Sequence, residues 1–197
     1  MVDAALRIVE AEGVSRLSMR KLAAELGVAV TSIYWHIGNR EALIEALIER
    51  EIADMGAIRT SGRTVEDRLV SLAHALRRRL LARPHVIGLV NERGLTPLMF
   101  LPAQAALARQ FSVEGLAGAD AAMAVRAIQY HVIGAVILQR WHERSPEQHP
   151  TEEDLWHQHA LDAGIDPEVA THLARALGPD EVFETSTRAL VRALLGP

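Results

Sequence analysis

Between Thr31 and His36 the chain carries Thr31, Ser32, Tyr34, Trp35 and His36, a dense run of hydrogen-bonding and stacking side chains. Hydroxyls, a phenol, an indole N–H and an imidazole can meet base edges and phosphate oxygens. Ser18, Arg20 and Arg40 flank the run and read as contacts that position it on a phosphate backbone, the arginines through salt-dependent charge. Other chemistry finds less support. The chain has nine histidines, but His157 and His159 are two apart and fall on different sides of a helix. His149, His157 and His172 sit in polar segments, so no metal is expected. There is no cysteine, no Gly-rich phosphate loop and no GxSxG elbow, which removes thiolate, phosphate-loop and esterase-type chemistry. Serine, histidine and aspartate occur without a spacing that brings them together. No catalytic residue and no cofactor is assigned, and an enzyme is not expected.

The elements around the run have recognisable start and stop signals. Ser18 suits the N-cap of a first helix, with Leu22, Ala23 and Leu26 on its apolar face. Gly27 stands where that helix must stop and reverse, because glycine enters positive φ without a steric penalty. The short segment from Ala29 to Ile37 follows. Asn39 then caps a longer helix with Glu41 in its first turn and Leu43, Ile44, Leu47, Ile48 and Ile52 as a broad stripe. Helix, glycine turn and short polar-aromatic helix make a helix-turn-helix, whose second helix lies in the major groove. A preceding helix from Asp3 to Glu12, with Ala5, Ile8 and Val9 inward, braces it as a three-helix bundle.

Ala23, Leu26, Gly27, Val28, Ile33, Tyr34, His36, Asn39, Arg40 and Leu43 together resemble the TetR family of bacterial transcription regulators. Tyr34-Trp35-His36, followed by Ile37, Asn39 and a basic residue, is similar to the branch that contains the tetracycline repressor. Arg40 stands where lysine is common in the family. The resemblance implies a homodimer that binds near-palindromic double-stranded operator DNA and a body that takes a small organic effector. It also implies that the long helix Ala121–Trp141 and the C-terminal helix pair with their copies in a four-helix interface. Val182, Phe183, Leu190, Val191 and Leu194, with Ala189 and Ala193 allowing close approach, fit that role, with Arg188 and Arg192 at the rim. In the tetracycline repressor the drug arrives with magnesium, which a carboxylate on the long helix helps to hold. No Asp or Glu lies between Asp120 and Glu143 here, so that arrangement has no counterpart.

Length and composition agree with this architecture. The 197 residues are 49% hydrophobic and only 4% aromatic, which favours packed helices. The net charge of −4 does not favour non-specific DNA binding by the whole chain, but Arg16, Arg20, Lys21 and Arg40 gather in the first forty residues. Glu41, Glu45 and Glu49 must face away from phosphate. No signal peptide is evident, and the longest apolar candidate, Ile128 to Leu138, is too short to span a membrane. A cytoplasmic protein without a membrane partner is expected.

The expected fold is all-α: a helix-turn-helix domain over 1–55 and a larger helical ligand-binding and dimerisation domain over 56–197. Thr64 caps a helix to Leu81 whose apolar face is Leu69, Leu72, Ala73, Leu76 and Leu80. Its Arg77-Arg78-Arg79 run reads as a solvated helix end, with phosphate contact as the alternative. Further helices are expected at Pro84–Asn91, from Thr96 to Phe111 with a redirection at Pro102, at Asp120–His142, Thr151–Ala163, Pro167–Leu177 and Asp180–Leu195. An effector pocket between the middle helices draws on Val86, Val90, Met99, Phe100, Leu107, Ile128, Val132 and Leu138, with Asn91, Gln129 and His131 as orienting polar groups. The function that follows is a ligand-released repressor; the alternative is an enzyme or ligand-binding module with an incidental helix-turn-helix. Sequence-specific DNA retention separates the first from the second.

Overall fold

A computed structural model describes residues 1–56, 58–93, 96–144, 159, 163–174 and 178–196; for 55, 90–93, 96–98, 142, 144 and 174 it describes the backbone alone. The described residues are helical, without strands: α1 Val2–Glu12, α2 Met19–Leu26, α3 Val30–Ile37, α4 Arg40–Met55, α5 Val65–Ala82, α6 Pro84–Arg93, α7 Thr96–Val113, α8 Gly118–Arg144, α9 Pro167–Ala174 and α10 Pro179–Leu195. A 3-10 turn, Val14–Arg16, separates α1 from α2. The helix expected over Thr151–Ala163 lies almost wholly outside the described residues, as do His149 and His157.

The head, α1 to α4, closes on a small apolar centre. Ala5, Ile8 and Val9 from α1, Leu22 from α2, Ile33 from α3 and Leu43, Ile44, Leu47 and Ile48 from α4 are all buried. The Ser18 hydroxyl accepts the Lys21 N–H at 3.2 Å, and Asn39 Oδ1 accepts the Ala42 N–H at 2.8 Å. Each cap satisfies a donor that the helix itself leaves unpaired, worth about 1 kcal/mol. Gly27 adopts the left-handed conformation (φ 66°, ψ 30°). There its N–H reaches Ala24 O at 3.2 Å and the Val28 N–H reaches Ala23 O at 3.0 Å. This closes α2 and turns the chain into α3.

The body wraps α8 with α5, α7 and α10. α5 opens on a capping box: Thr64 accepts the Asp67 N–H at 3.1 Å while Asp67 accepts the Thr64 N–H at 3.4 Å. Head and body meet along α4 and α6. Gly88 of α6 seats against the head, where a Cβ would stand 3.3 Å from Val14 Cγ2. The Glu51 carboxylate of α4 and the His85 imidazole of α6 hydrogen bond at 2.9 Å, both buried.

Three expectations change. Pro102 does not redirect its segment: α7 runs through it from Thr96 to Val113, because burial of Met99, Phe100, Ala103, Ala106 and Leu107 outweighs one missing hydrogen bond. The arginine run is not a uniform solvated helix end. Arg77 is only 4% exposed. It donates to Asp180 Oδ1 at 2.5 Å and Gln139 Oε1 at 2.6 Å, with its guanidinium 4.7 Å from the Phe183 ring centre. It follows Leu76 and lies one turn beyond Ala73, so helical geometry carries it inward. Finally, Gly118–Trp141 is long and apolar enough to cross a membrane by length and composition, contrary to the sequence expectation, although a third of its apolar 18-residue window is buried inside the body.

Arg77→Ala is therefore expected to lower the unfolding free energy by about 2–4 kcal/mol in denaturant titration, while exposed Arg78→Ala stays within about 0.5 kcal/mol. Equal effects would remove Arg77 from the core. His131 supplies a pH test. Desolvation lowers its pKa below the usual 6.5, so the unfolded chain takes up its proton first as pH falls. Stability is then lost as pH drops below about 6.5, and His131→Gln should flatten that slope.

Candidate nucleic-acid interface

Eight residues make a helix too short to persist alone, so α3 exists because α2 and α4 hold it. Its single buried side chain is Ile33, fully enclosed. Ile33, the partly buried Val30 and Ile37 that pack against the same core, and the Gly27 turn fix the helix, and its polar and aromatic side chains are left to face out. Thr31, Ser32 and His36 are exposed. Tyr34 is 50% exposed and Trp35 82% exposed. The indole does not pack into the bundle; its ring meets the His36 ring edge-on, at 4.7 Å between centroids. A large aromatic held in water on a rigid helix marks a contact surface rather than a core element.

The flanking residues divide by role. Arg20 is exposed on α2. Ser18 is exposed, but its hydroxyl already caps α2. Arg40 is half-buried and turns back under the head, donating from Nε to Leu17 O at 3.3 Å and from Nη2 to Val14 O at 3.4 Å. The guanidinium thereby braces the 3-10 turn from below. Lys21 pairs with Glu12 and Arg7 with Glu25 at 3.7 Å, which keeps two cations of the head tied to carboxylates. Glu41, Glu45 and Glu49 are exposed along α4.

The residues expected around an effector separate into groups. Val86, Met99, Phe100, Leu107, Ile128 and Val132 are buried in one continuous core. Gln129 is buried among them, and Gln104 Nε2 donates to its Oε1 at 2.7 Å. His131 does not converge with Gln129: two positions further on, it has turned about 200° around α8. Its ring stacks on Phe183 at 5.2 Å, and its Nε2 lies 3.0 Å from Thr187 Oγ1. Leu138 is 53% exposed and faces away from the core, because two positions beyond buried Val136 the helix has likewise turned about 200°. The side chains of Val90 and Asn91 lie outside the described residues. Two open clefts of about 360 Å³ lie elsewhere: one beside Val169 and Leu173, the other among Arg59, Arg78, Arg79 and Arg83.

α8 also carries an exposed stripe that its all-round apolar sequence does not single out. Met123, Tyr130, Leu138 and Trp141 are all exposed at spacings of seven, eight and three residues, which puts them on one face of the helix. On α10, Val182, Ala189 and Ala193 face out, whereas Phe183 and Val191 are buried in the chain's own core. Phe183 and Val191 are therefore not available to a partner. Arg188, assigned to a rim, is held at 2.8 Å by Glu184 and 2.9 Å by Glu66, and Arg192 at 3.0 Å by Glu66.

Comparison with known proteins bears on this geometry. Residues 1–47 match the family model of bacterial regulatory proteins of the tetR family. An HTH-type transcriptional regulator of Saccharopolyspora erythraea is 28% identical over 173 residues, covering 88% of this chain and 67% of that protein. A class A tetracycline repressor from Escherichia coli is 29% identical over 198 residues, covering 98% and 88%. The structure of the Streptomyces coelicolor TetR family protein ActR in complex with actinorhodin matches with a TM-score of 0.74 at 24% identity, covering 98% and 94%.

The double substitution Tyr34→Ala/Trp35→Ala removes exposed groups only. Stability is expected to change by less than about 1 kcal/mol, while retention of a bound duplex falls by at least roughly tenfold. Full retention by a folded double variant would dissociate α3 from DNA contact.

Proposed function

We propose that the chain, similar to the tetR family of bacterial regulatory proteins over its first 47 residues, is a homodimeric repressor released from its operator by a small apolar or amphipathic ligand. The observation that carries the reading is α3: a rigidly anchored helix that exposes Thr31, Ser32, Tyr34, Trp35 and His36 together. In this reading α3 enters the major groove and reads base edges, while Ser18, Arg20 and Arg40 fix the head on phosphates. Residues 1–55 form the DNA-binding domain and 56–197 the ligand-binding and dimerisation domain, and the protein acts in the cytoplasm.

Dimerisation is supported by the two outward faces. Large apolar groups on α8, Met123, Tyr130, Leu138 and Trp141, stand beside a smaller-residue face on α10, Val182, Ala189 and Ala193. An isologous interface can bury both at once. It would set two α3 helices on successive major-groove faces of a near-palindromic site. The apolar character of Gly118–Trp141 is then explained by burial on both sides.

An effector site in the body is supported by its predominantly apolar core and by the Gln104–Gln129 pair set within it. The likeness to ActR, solved with actinorhodin, points the same way. Val86, Met99, Phe100, Leu107, Ile128 and Val132 would supply apolar walls, and Gln129 the orienting polar group. Ligand that binds better to one head–body arrangement shifts the population toward it, and DNA affinity falls by that difference. Since α4 packs in the head and against α6, it would carry the change.

Duplex DNA flanking the gene tests the reading. One dimer is expected to be retained per site over random duplex, with release by an apolar compound from a broad screen. Trp141→Glu should give monomers in sedimentation, with helicity intact and retention lost. Binding no better than random duplex, or turnover of a substrate without retention, would favour the alternative of an enzyme or binding module with an incidental helix-turn-helix.

A further inference from the structure

The head–body junction encloses a cluster that DNA reading does not use. Glu10 of α1, Glu51 of α4 and His85 of α6 each bring one ligand-type atom within 4.8 Å of the others. Glu51 is 2% exposed and His85 is buried beside it, while Glu10 lies at the surface. The carboxylate of Glu51 is only half used. Its Oε1 lies 2.9 Å from His85 Nε2. Its Oε2 is buried and accepts no hydrogen bond; Arg83 Nε stands 3.1 Å away as a neighbouring charge, but not as an aligned donor. Burying a carboxylate oxygen without a donor costs free energy unless a cation completes it.

We propose that Glu10, Glu51 and His85 form a binding site for a divalent first-row transition ion that ties α1 and α4 of the head to α6 of the body. One imidazole nitrogen and two carboxylate oxygens are a donor set for zinc, cobalt or iron rather than for magnesium or calcium, which prefer oxygen alone. Bonds of about 2.0–2.2 Å require the three atoms to close in somewhat, and the exposed Glu10 side chain is free to do so. Two carboxylate charges are neutralised by the ion, and Arg83 no longer has to face Glu51. Glu10 lies at the solvent-facing side, so a fourth position remains open to water or an exogenous ligand. An ion here would join three helices that are separate in sequence and fix the angle between head and body.

The test uses the metal alone on the purified, chelator-treated full chain and requires no operator, so it stands apart from the repressor reading. Titration with Co²⁺ is expected to saturate at one ion per chain, with visible absorption bands of a four- or five-coordinate centre. Glu10→Gln, which alters only an exposed group, should weaken uptake by at least roughly tenfold. His85→Gln, which keeps a hydrogen bond to Glu51, should abolish the bands while helicity stays unchanged. The site is overturned if the wild-type chain takes up no stoichiometric Co²⁺. It is equally overturned if Glu10→Gln binds as tightly as wild type, since other histidines would then hold the metal.

Discussion

Burial of one face of α4 is the constraint on which the rest depends. Leu43, Ile44, Leu47 and Ile48 are enclosed almost completely, each worth about 1.5–3 kcal/mol over exposure. This face closes the three-helix head, and further along the same helix Glu51 meets α6. The consequence is mechanical. A helix held at both ends by packing cannot change its angle to the body without carrying α3 along, since α3 has no stability of its own.

What α4 does not fix is left facing solvent, and that surplus is informative. Apolar and aromatic groups stay in water on α3, along one face of α8 and on part of α10. Large exposed patches on a soluble chain signal partners, and here the chemistry differs between them. The α3 group mixes hydroxyls, imidazole and aromatics, suited to a polar, stackable partner. The α8 and α10 faces centre on apolar and small side chains, with Arg126 and Arg192 as their exposed charges, and suit a copy of themselves. Between them the body is closed by polar links set in an apolar core: Arg77 with Asp180 and Gln139, Gln104 with Gln129, and His131 with Thr187.

Local signals were legible in the sequence because their physics is local. Ser18, Asn39 and Thr64 cap helices through contacts three residues away, and Gly27 turns the chain through its own φ. The helical periodicity of α4 and α5 identified their buried faces directly. Three-dimensional relations were not legible. Arg77 sits in a charged run, and only the approach of Asp180 and Phe183, a hundred residues on, reveals its burial. Residue type alone places Leu138 inward, although the turn of α8 beyond Val136 carries it out. Phe183 reads as an interface residue in the sequence because nothing local tells which side of an apolar helix faces its own chain. Glu10, Glu51 and His85 are individually unremarked residues on three helices, and spacing along the chain cannot bring them together.

Selection of bound sequences from a pool of random duplexes tests the central claim most directly, because it asks whether the exposed face of α3 reads bases and reads them twice. The account predicts enrichment of one inverted repeat whose half-site centres lie about 34–36 Å, or one helical turn, apart. A recovered pool with no shared motif, or with a single unrepeated half-site bound by one chain, would contradict it.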